Sequence, residues 1–315
     1  MTRSESSIPI AILVYPDAQM SAVLGLEDLF LIANRLAAPG DQRFEVSRLE
    51  SADLKGEPAP YAAVILPPSL GRNRGEAALP VHDWLRAQHR RGAVMCSVCA
   101  GAFWLGHAGL LSGRPATTHW ALAGEFRAAF PDIRLDEGQL LIDDHDIVTA
   151  GGLMAWLDLG LFLVQRWLGP QAVSKTARQL LIDPAGREQR NYRSFRPVLT
   201  HGDRAVLKLQ HWLEGVAETE ITVRDMAARG HMSERSLLRR FKAATGLTPK
   251  VYLQNLRIEK ARGLLERSRV PVAEIGWAVG YRDPSAFSRV FRAITGLTAG
   301  DYRRRFGVGA RNAPH

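Results

Sequence analysis

The chain has 315 residues, of which 46% are hydrophobic and 23% charged, and this ordinary globular balance excludes a disordered or fibrous chain. At ~100–200 residues per domain the length points to two domains. The net charge of +9 is unevenly spread: residues 201–315 hold 21 Lys+Arg against 11 Asp+Glu, while residues 1–182 hold 16 against 19.

Ile8 to Tyr15 is a short apolar run leading into Pro16-Asp17 without a small-residue cleavage site, which reads as a first strand and not a signal peptide. Leu24, Leu26, Leu29, Phe30 and Ile32 follow at helical spacing. Ala62 to Leu66 is a second strand ended by Pro67-Pro68; Val81 to Gln88 is helical, and Gly92 to Val98 is a third strand, followed by a helix over Ala102 to Ala108. Gln139 to Ile142 and Asp146 to Thr149 read as further strands, and Gly151-Gly152 leads into a long helix ending near Leu168-Gly169-Pro170. Strands alternating with helices imply an α/β domain, a parallel sheet covered on both faces. The most apolar stretch, Leu153 to Leu168, is interrupted by Asp158, Gln165 and Arg166 and does not reach the ~20 residues of a membrane span. The expected organisation is a first domain over 8–182, a linker over 183–202 rich in Arg, Asn, Pro and Gly, an all-α domain over 203–306, and a tail over 307–315.

The last third has no strand-like runs and contains a repeat about 50 residues apart. Phe241 to Tyr252 recurs as Phe291 to Tyr302 with 7 of 12 positions identical. Each copy has the order helix, tight turn, helix. Val223, Met226 and Ala227 precede Gly230, and Ser233 is placed to cap the next helix; Val272 and Ile275 precede Gly280, with Asp283-Pro284 as cap and first helical residue. The second helices have apolar faces, Leu237, Leu238, Phe241 and Ala244 in one and Phe287, Val290, Phe291 and Ile294 in the other. Their opposite faces carry Arg235, Ser236, Arg239, Arg240 and Lys242, and Ser285, Ser288, Arg289 and Arg292. Arginine clamps guanine in the major groove and serine reaches bases or phosphates, so these nine residues are the candidate DNA contacts. A helix from Thr248-Pro249 to about Arg267 spans on the order of 28 Å, comparable to the ~34 Å of one DNA turn. A helical bundle that binds protein is the alternative.

This region resembles the AraC/XylS family of transcription regulators over about 203–306, including Ala273 to Tyr281 and the Phe-Arg-x-x-Thr-Gly run ending at Gly296. The resemblance implies double-stranded DNA as partner, RNA polymerase as a candidate partner, and a homodimer, although no zipper pattern is evident.

In the first domain, Val94-Met95-Cys96-Ser97-Val98-Cys99-Ala100-Gly101 is a strand running into a turn and a helix. A cysteine at such an elbow sits at a helix N-terminus, where partial positive charge favours thiolate, and His119 is a candidate base. Only two cysteines occur, which fits a reducing cytoplasm; Cys96 and Cys99, three apart, are expected on opposite faces, so no redox pair is expected. Metal-ligand spacing is lacking, and neither metal nor cofactor is expected. The domain resembles the PfpI/ThiJ branch of the flavodoxin-like class I glutamine amidotransferase fold over roughly 8–180. The resemblance rests on Tyr15-Pro16, the cysteine elbow, Gly109 to Trp120, and Thr149 to Gly152 with Asp158. Such a domain joined to an AraC-type reader resembles the GlxA-type regulators, several of which respond to amino acids or quaternary amines.

That resemblance implies a sensor that binds a small effector without turning it over, with Gly25, Cys99, His119, Trp120 and Gly152 as the candidate pocket. Enzymatic relatives often carry an acid where this chain has Ala22, and often Thr or His where it has Ala100, so a non-enzyme is expected. Asp17 and Asp28 are near enough in sequence to compensate in part. The competing readings are a cysteine-dependent hydrolase or hydratase, and a redox sensor using Cys99.

Overall fold

The computed structural model describes residues 7–54, 59–72, 74–183 and 188–307. The chain divides into two compact units, Met1–Gln189 and Arg190–His315.

The first unit contains β1 (Ser7–Val14), α1 (Met20–Leu36), β2 (Arg43–Glu50), β3 (Ala63–Leu66), α2 (Leu79–Arg90), β4 (Val94–Val98) and α3 (Ala102–His107). These are followed by β5 (Pro115–Ala116), α4 (Ala123–Ala129), β6 (Arg134–Leu135), β7 (Leu141–Asp144), β8 (Ile147–Ala150) and α5 (Trp156–Leu180). Six strands form one sheet in the order β2-β1-β3-β4-β8-β7, parallel except for the β7–β8 pair. β5 and β6 form a separate two-stranded ladder.

The side-chain period of two sorts β1 between two cores. Ile10 and Ile12 face the core shared with α1 and α5, whereas Ala11 and Leu13 face the one shared with α2, α3 and α4. A sheet covered on both faces is what uninterrupted apolar runs such as Ala63–Leu66 encode.

α5 passes beyond the expected stop. Gly169 leaves helical geometry at φ +80°, and the helix resumes with Pro170, whose missing N–H costs nothing in a first turn, and runs to Leu180.

The second unit is all-helical: α6 (Arg204–Val216), α7 (Val223–Arg229), α8 (Glu234–Thr245), α9 (Pro249–Arg267), α10 (Val272–Ala278), α11 (Pro284–Thr295) and α12 (Ala299–Phe306). It has two small cores. Leu209, Leu213, Leu237, Phe241 and Tyr252 build one; Ile258, Ile275, Phe287, Phe291 and Tyr302 build the other. α9 contributes to both, its N-terminal half through Tyr252 and Leu256, its C-terminal half through Ile258 and Leu265. Residues 195–202, within the stretch read as linker, are tied to this unit. Phe195 packs on the first core, and Gln210 donates to the Val198 carbonyl at 3.0 Å.

Among the described residues no helix is long and apolar enough to cross a membrane. The segments 184–187 and 308–315, parts of the expected linker and tail, lie outside the described residues.

Candidate functional site

The two helix-turn-helix units are built from the same local chemistry. Thr222 and Asp225 form a reciprocal capping box at the start of α7. Ser233 caps α8 through the Ser236 N–H, and Asp283 caps α11 through the N–H groups of Ser285 and Ala286, as the sequence predicts. In the second unit the turn needs glycine. Gly280 has φ +91°, and a Cβ there would come within 2.7 Å of the Glu218 carbonyl oxygen.

Leu237 and Phe241 on α8, and Phe287 and Phe291 on α11, are buried to 1% exposure or less and fix which faces turn outward. Leu238, expected on the apolar face, is 42% exposed, so the buried stripe of α8 is narrower than its sequence pattern suggests. Arg235, Arg239 and Lys242 are exposed on α8, with Ser236 partly so; Ser285, Ser288, Arg289 and Arg292 are exposed on α11. Arg289 reaches Asp283 only at 4.0 Å, and the Ser288 hydroxyl donates to the Pro284 carbonyl at 2.9 Å. Arg240 differs from its neighbours: Nε and Nη2 grip the two carboxylate oxygens of Asp203 at 3.0 and 2.7 Å. Arg257 is a further cation that sequence reading did not single out. It donates to the carbonyls of Ala217 and Thr219 at 2.8 and 2.7 Å and lies 5.3 Å from the Tyr281 ring centroid, tying α9 to the segment after α6 and to the second helix-turn-helix.

In the first unit β4 ends in a sharp elbow. Cys99 takes the left-handed conformation at φ +55°, and a 3-10 turn over Cys99–Gly101 leads into α3. A Cβ at Gly101 would meet the Leu66 carbonyl oxygen at 2.4 Å, so this position must be glycine for α3 to lie so close to the end of β3. The Thr118 hydroxyl donates to the Cys99 carbonyl at 2.7 Å, and Tyr15 donates to the Pro67 carbonyl beside it.

Cys99 is only 4% exposed, and burial pushes its thiol up to about 11 despite the Ala100 N–H and the nearby Arg74. A helix terminus contributes ~0.3–1 kcal/mol, less than one pKa step of ~1.4 kcal/mol, so the desolvation of the thiolate wins. The expected thiolate-favouring elbow is therefore corrected. The left-handed turn also breaks the strand alternation, so Cys96 and Cys99 join the same core and do not face opposite sides; both remain free thiols. His119 spends Nδ1 accepting the Ala121 N–H at 3.0 Å, and burial lowers its pKa. No hydrogen bond among the described residues joins His119 to Cys99.

Of the other pocket candidates, Gly25 is explained by packing: a Cβ there would sit 2.4 Å from the Trp156 ring, where α1 crosses α5. Gly152 has ordinary space, its virtual Cβ lying 3.4 Å from Leu140. The Trp120 ring lies tilted by 33° to that of His119, with the ring centroids 5.3 Å apart. Ala22 is fully buried, and Asp17 and Asp28 are exposed. The residue sequence reading missed is Gln189, whose buried carboxamide lies beside Thr117, Thr118 and Gly151. No local motif marks it; the paired glycines Gly151-Gly152 were the available signal.

A doubly covered sheet with a cysteine elbow, in one chain with tandem helix-turn-helix units, defines a two-domain regulator architecture. The model of the DJ-1/PfpI family matches residues 45–166, and that of a helix-turn-helix domain matches residues 226–305. The transcriptional regulator CdhR of Pseudomonas aeruginosa is 31% identical over 213 residues, covering 67% of this chain and 63% of CdhR, so the chain matches less than two thirds of that relative's length. GlxA of Rhizobium meliloti is 30% identical over 230 residues, covering 72% of this chain and 70% of GlxA. The structure of Drosophila melanogaster DJ-1beta aligns at 19% identity with a TM-score of 0.46, over 56% of this chain and 99% of that one. The chain belongs to the GlxA-type AraC-family transcriptional regulators that carry a DJ-1/PfpI domain.

Proposed function

We propose that the protein is an effector-responsive transcription regulator. Its α8 and α11 enter the major groove of double-stranded DNA, and its DJ-1/PfpI domain binds a small amino-acid-like or amine-like metabolite without turning it over. The observation that carries the DNA reading is the matched pair of capped helices, each pinned by two buried apolar residues and presenting exposed arginine, with serine exposed on α11 and partly exposed on α8. A homodimer would present two such readers, and bound effector would favour one domain arrangement, shifting the population that fits DNA. RNA polymerase is the further partner this reading implies.

Absence of turnover is supported by the neutral, buried Cys99 thiol and by His119, whose Nδ1 is committed to a backbone N–H. Both features count against the hydrolase and the redox readings. The test is thermal unfolding of the full chain against amino acids, betaines and short amines, followed by mass analysis of each compound. A stabilising compound recovered intact supports the sensor; ligand at a hundred times its Kd raises stability by ~2.7 kcal/mol. Consumption that vanishes in Cys99→Ala would make the domain an enzyme.

A further inference from the structure

Gln189 is the last residue of the first unit, yet its side chain is 2% exposed and fully engaged within that unit. Nε2 donates towards the Gln139 carbonyl at 2.8 Å, the Thr118 carbonyl at 2.9 Å and the Thr117 hydroxyl at 3.1 Å. Oε1 accepts the Trp120 N–H at 3.1 Å. Two amide N–H groups shared among three acceptors, with one donor at the oxygen, set the orientation of a primary carboxamide in this slot. Gly151 makes the room: a Cβ there would lie 1.8 Å from Nε2. The same Thr118 that receives Gln189 at its carbonyl donates its hydroxyl to the carbonyl of Cys99, so the slot adjoins the elbow.

One peptide bond later the second unit begins, and its first residues are held there. Arg262, 4% exposed, donates to the carbonyl of Arg190 at 2.9 Å and to that of Arg193. Each side of this junction is thus held within its own unit, Gln189 by the first and the Arg190 and Arg193 carbonyls by the second.

We propose that this slot is a carboxamide-binding subsite, occupied in the resting chain by Gln189, and that an effector bearing a carboxamide displaces Gln189 and so frees the junction leading to the DNA-reading unit. This rests on the reading of the first unit as an effector sensor. An apolar structural plug would not need a donor and acceptor set matched to an amide, because a buried polar group left unpaired costs ~1–3 kcal/mol and an aliphatic side chain avoids that cost. A tethered group that a free ligand of the same chemistry can replace does need it.

The test uses the full chain and propionamide, which carries the end of the glutamine side chain as a free molecule. In Gln189→Ala, hydrogen exchange at Trp120 accelerates, and excess propionamide slows it again. Gly151→Ala/Gln189→Ala exchanges equally fast but does not respond, because the alanine methyl fills the slot. Gln189→Glu, equal in size but without the amide donors, is expelled and matches Gln189→Ala, which keeps the test valid if the smaller side chain impairs folding. On a duplex selected from a random pool by the wild-type chain, Gln189→Ala changes affinity about fivefold or more, and propionamide reverses the change.

Propionamide acting alike on both variants, or on neither, would overturn the subsite. Rescue of exchange with unchanged DNA affinity would overturn the coupling. A wild-type chain that selects no duplex would instead sink the regulator reading, which the exchange experiment does not depend on.

Discussion

Asp203 and Arg240 form a two-point ion pair, and the same Asp203 carboxylate caps α6 through the N–H groups of Ala205 and Val206. One side chain therefore starts a helix and secures α8, the proposed reading helix, to it. Arg240 and Arg239 are adjacent in sequence, and the structure supports different work for each. Arg240→Ala is expected to lower the unfolding temperature while leaving the base preference of the selected duplex unchanged. Asp203→Ala removes the cap as well, at ~0.5–2 kcal/mol. Hydrogen bonding from the Arg240 guanidinium holds the Asp203 carboxyl below its usual range. The resulting stability is present above the unfolded value of ~4 and is lost as pH falls through the lower folded value. Asp203→Asn should flatten that acid limb in melts taken below neutral pH; an unchanged limb would place the pH dependence elsewhere.

Arg239 and Arg289 are exposed, with no ion pair closer than 4.0 Å among the described residues. If each clamps a guanine, its replacement by alanine costs ~1–3 kcal/mol on the selected duplex and relaxes preference at one base position. Loss of a phosphate contact would instead weaken all sequences alike and reduce the salt slope by ~1. Titrating both variants at several salt concentrations separates the two roles. Wild-type affinity and wild-type salt slope in both would remove these arginines from the interface.

The elements legible in the sequence are those whose burial is one-sided or complete. β1, β3 and β4 are flanked by sheet and helix on every side, and their apolar runs say so. β2 was not legible because Arg43–Glu50 is an edge strand whose charged residues face outward, which protects an unpaired edge and hides the apolar alternation. α6 buries Val206, Leu209 and Leu213 at helical spacing, but it lies outside the repeated units, so no second copy in the sequence marks it. α8 and α11 were legible because caps and turns are local. Arg240's partner and the Gln189 slot were not, because each joins residues far apart in sequence: Asp203 lies 37 positions away and Thr117 lies 72.

Gly25 illustrates a site residue whose role is packing. Its virtual Cβ falls 2.4 Å from the Trp156 ring, and Trp156, at 8% exposure, is held in the core with Leu26 and Leu159. Gly25→Ala is expected to destabilise the first unit by ~1–3 kcal/mol, the usual cost of an extra methyl in a packed contact. Gly152→Ala meets only ordinary contacts and should leave the melting temperature nearly unchanged. A reversed order of the two melting temperatures would return Gly25 to the pocket.

Cys99 provides the sharpest separation between sensor and enzyme. With its thiol pushed from 9.0 to about 11 by burial, the thiolate fraction near neutral pH is ~100-fold below that of an unperturbed thiol. Iodoacetamide reacts with thiolate, so the native chain should alkylate at Cys99 ~100-fold slower than free cysteine, before any further loss to restricted access. Cys96, pushed up to about 12 by complete burial, should be slower still. Unfolding in denaturant should bring both to the free rate. The rate in the native chain should keep rising up to about pH 11 and show no plateau near neutrality. Peroxide, which also requires thiolate, should leave affinity for the selected duplex unchanged. A plateau below pH 8, or fast labelling of Cys99 alone, would mean that the elbow opens to a state in which the thiol is ionised, and the cysteine-enzyme and redox readings would regain their ground.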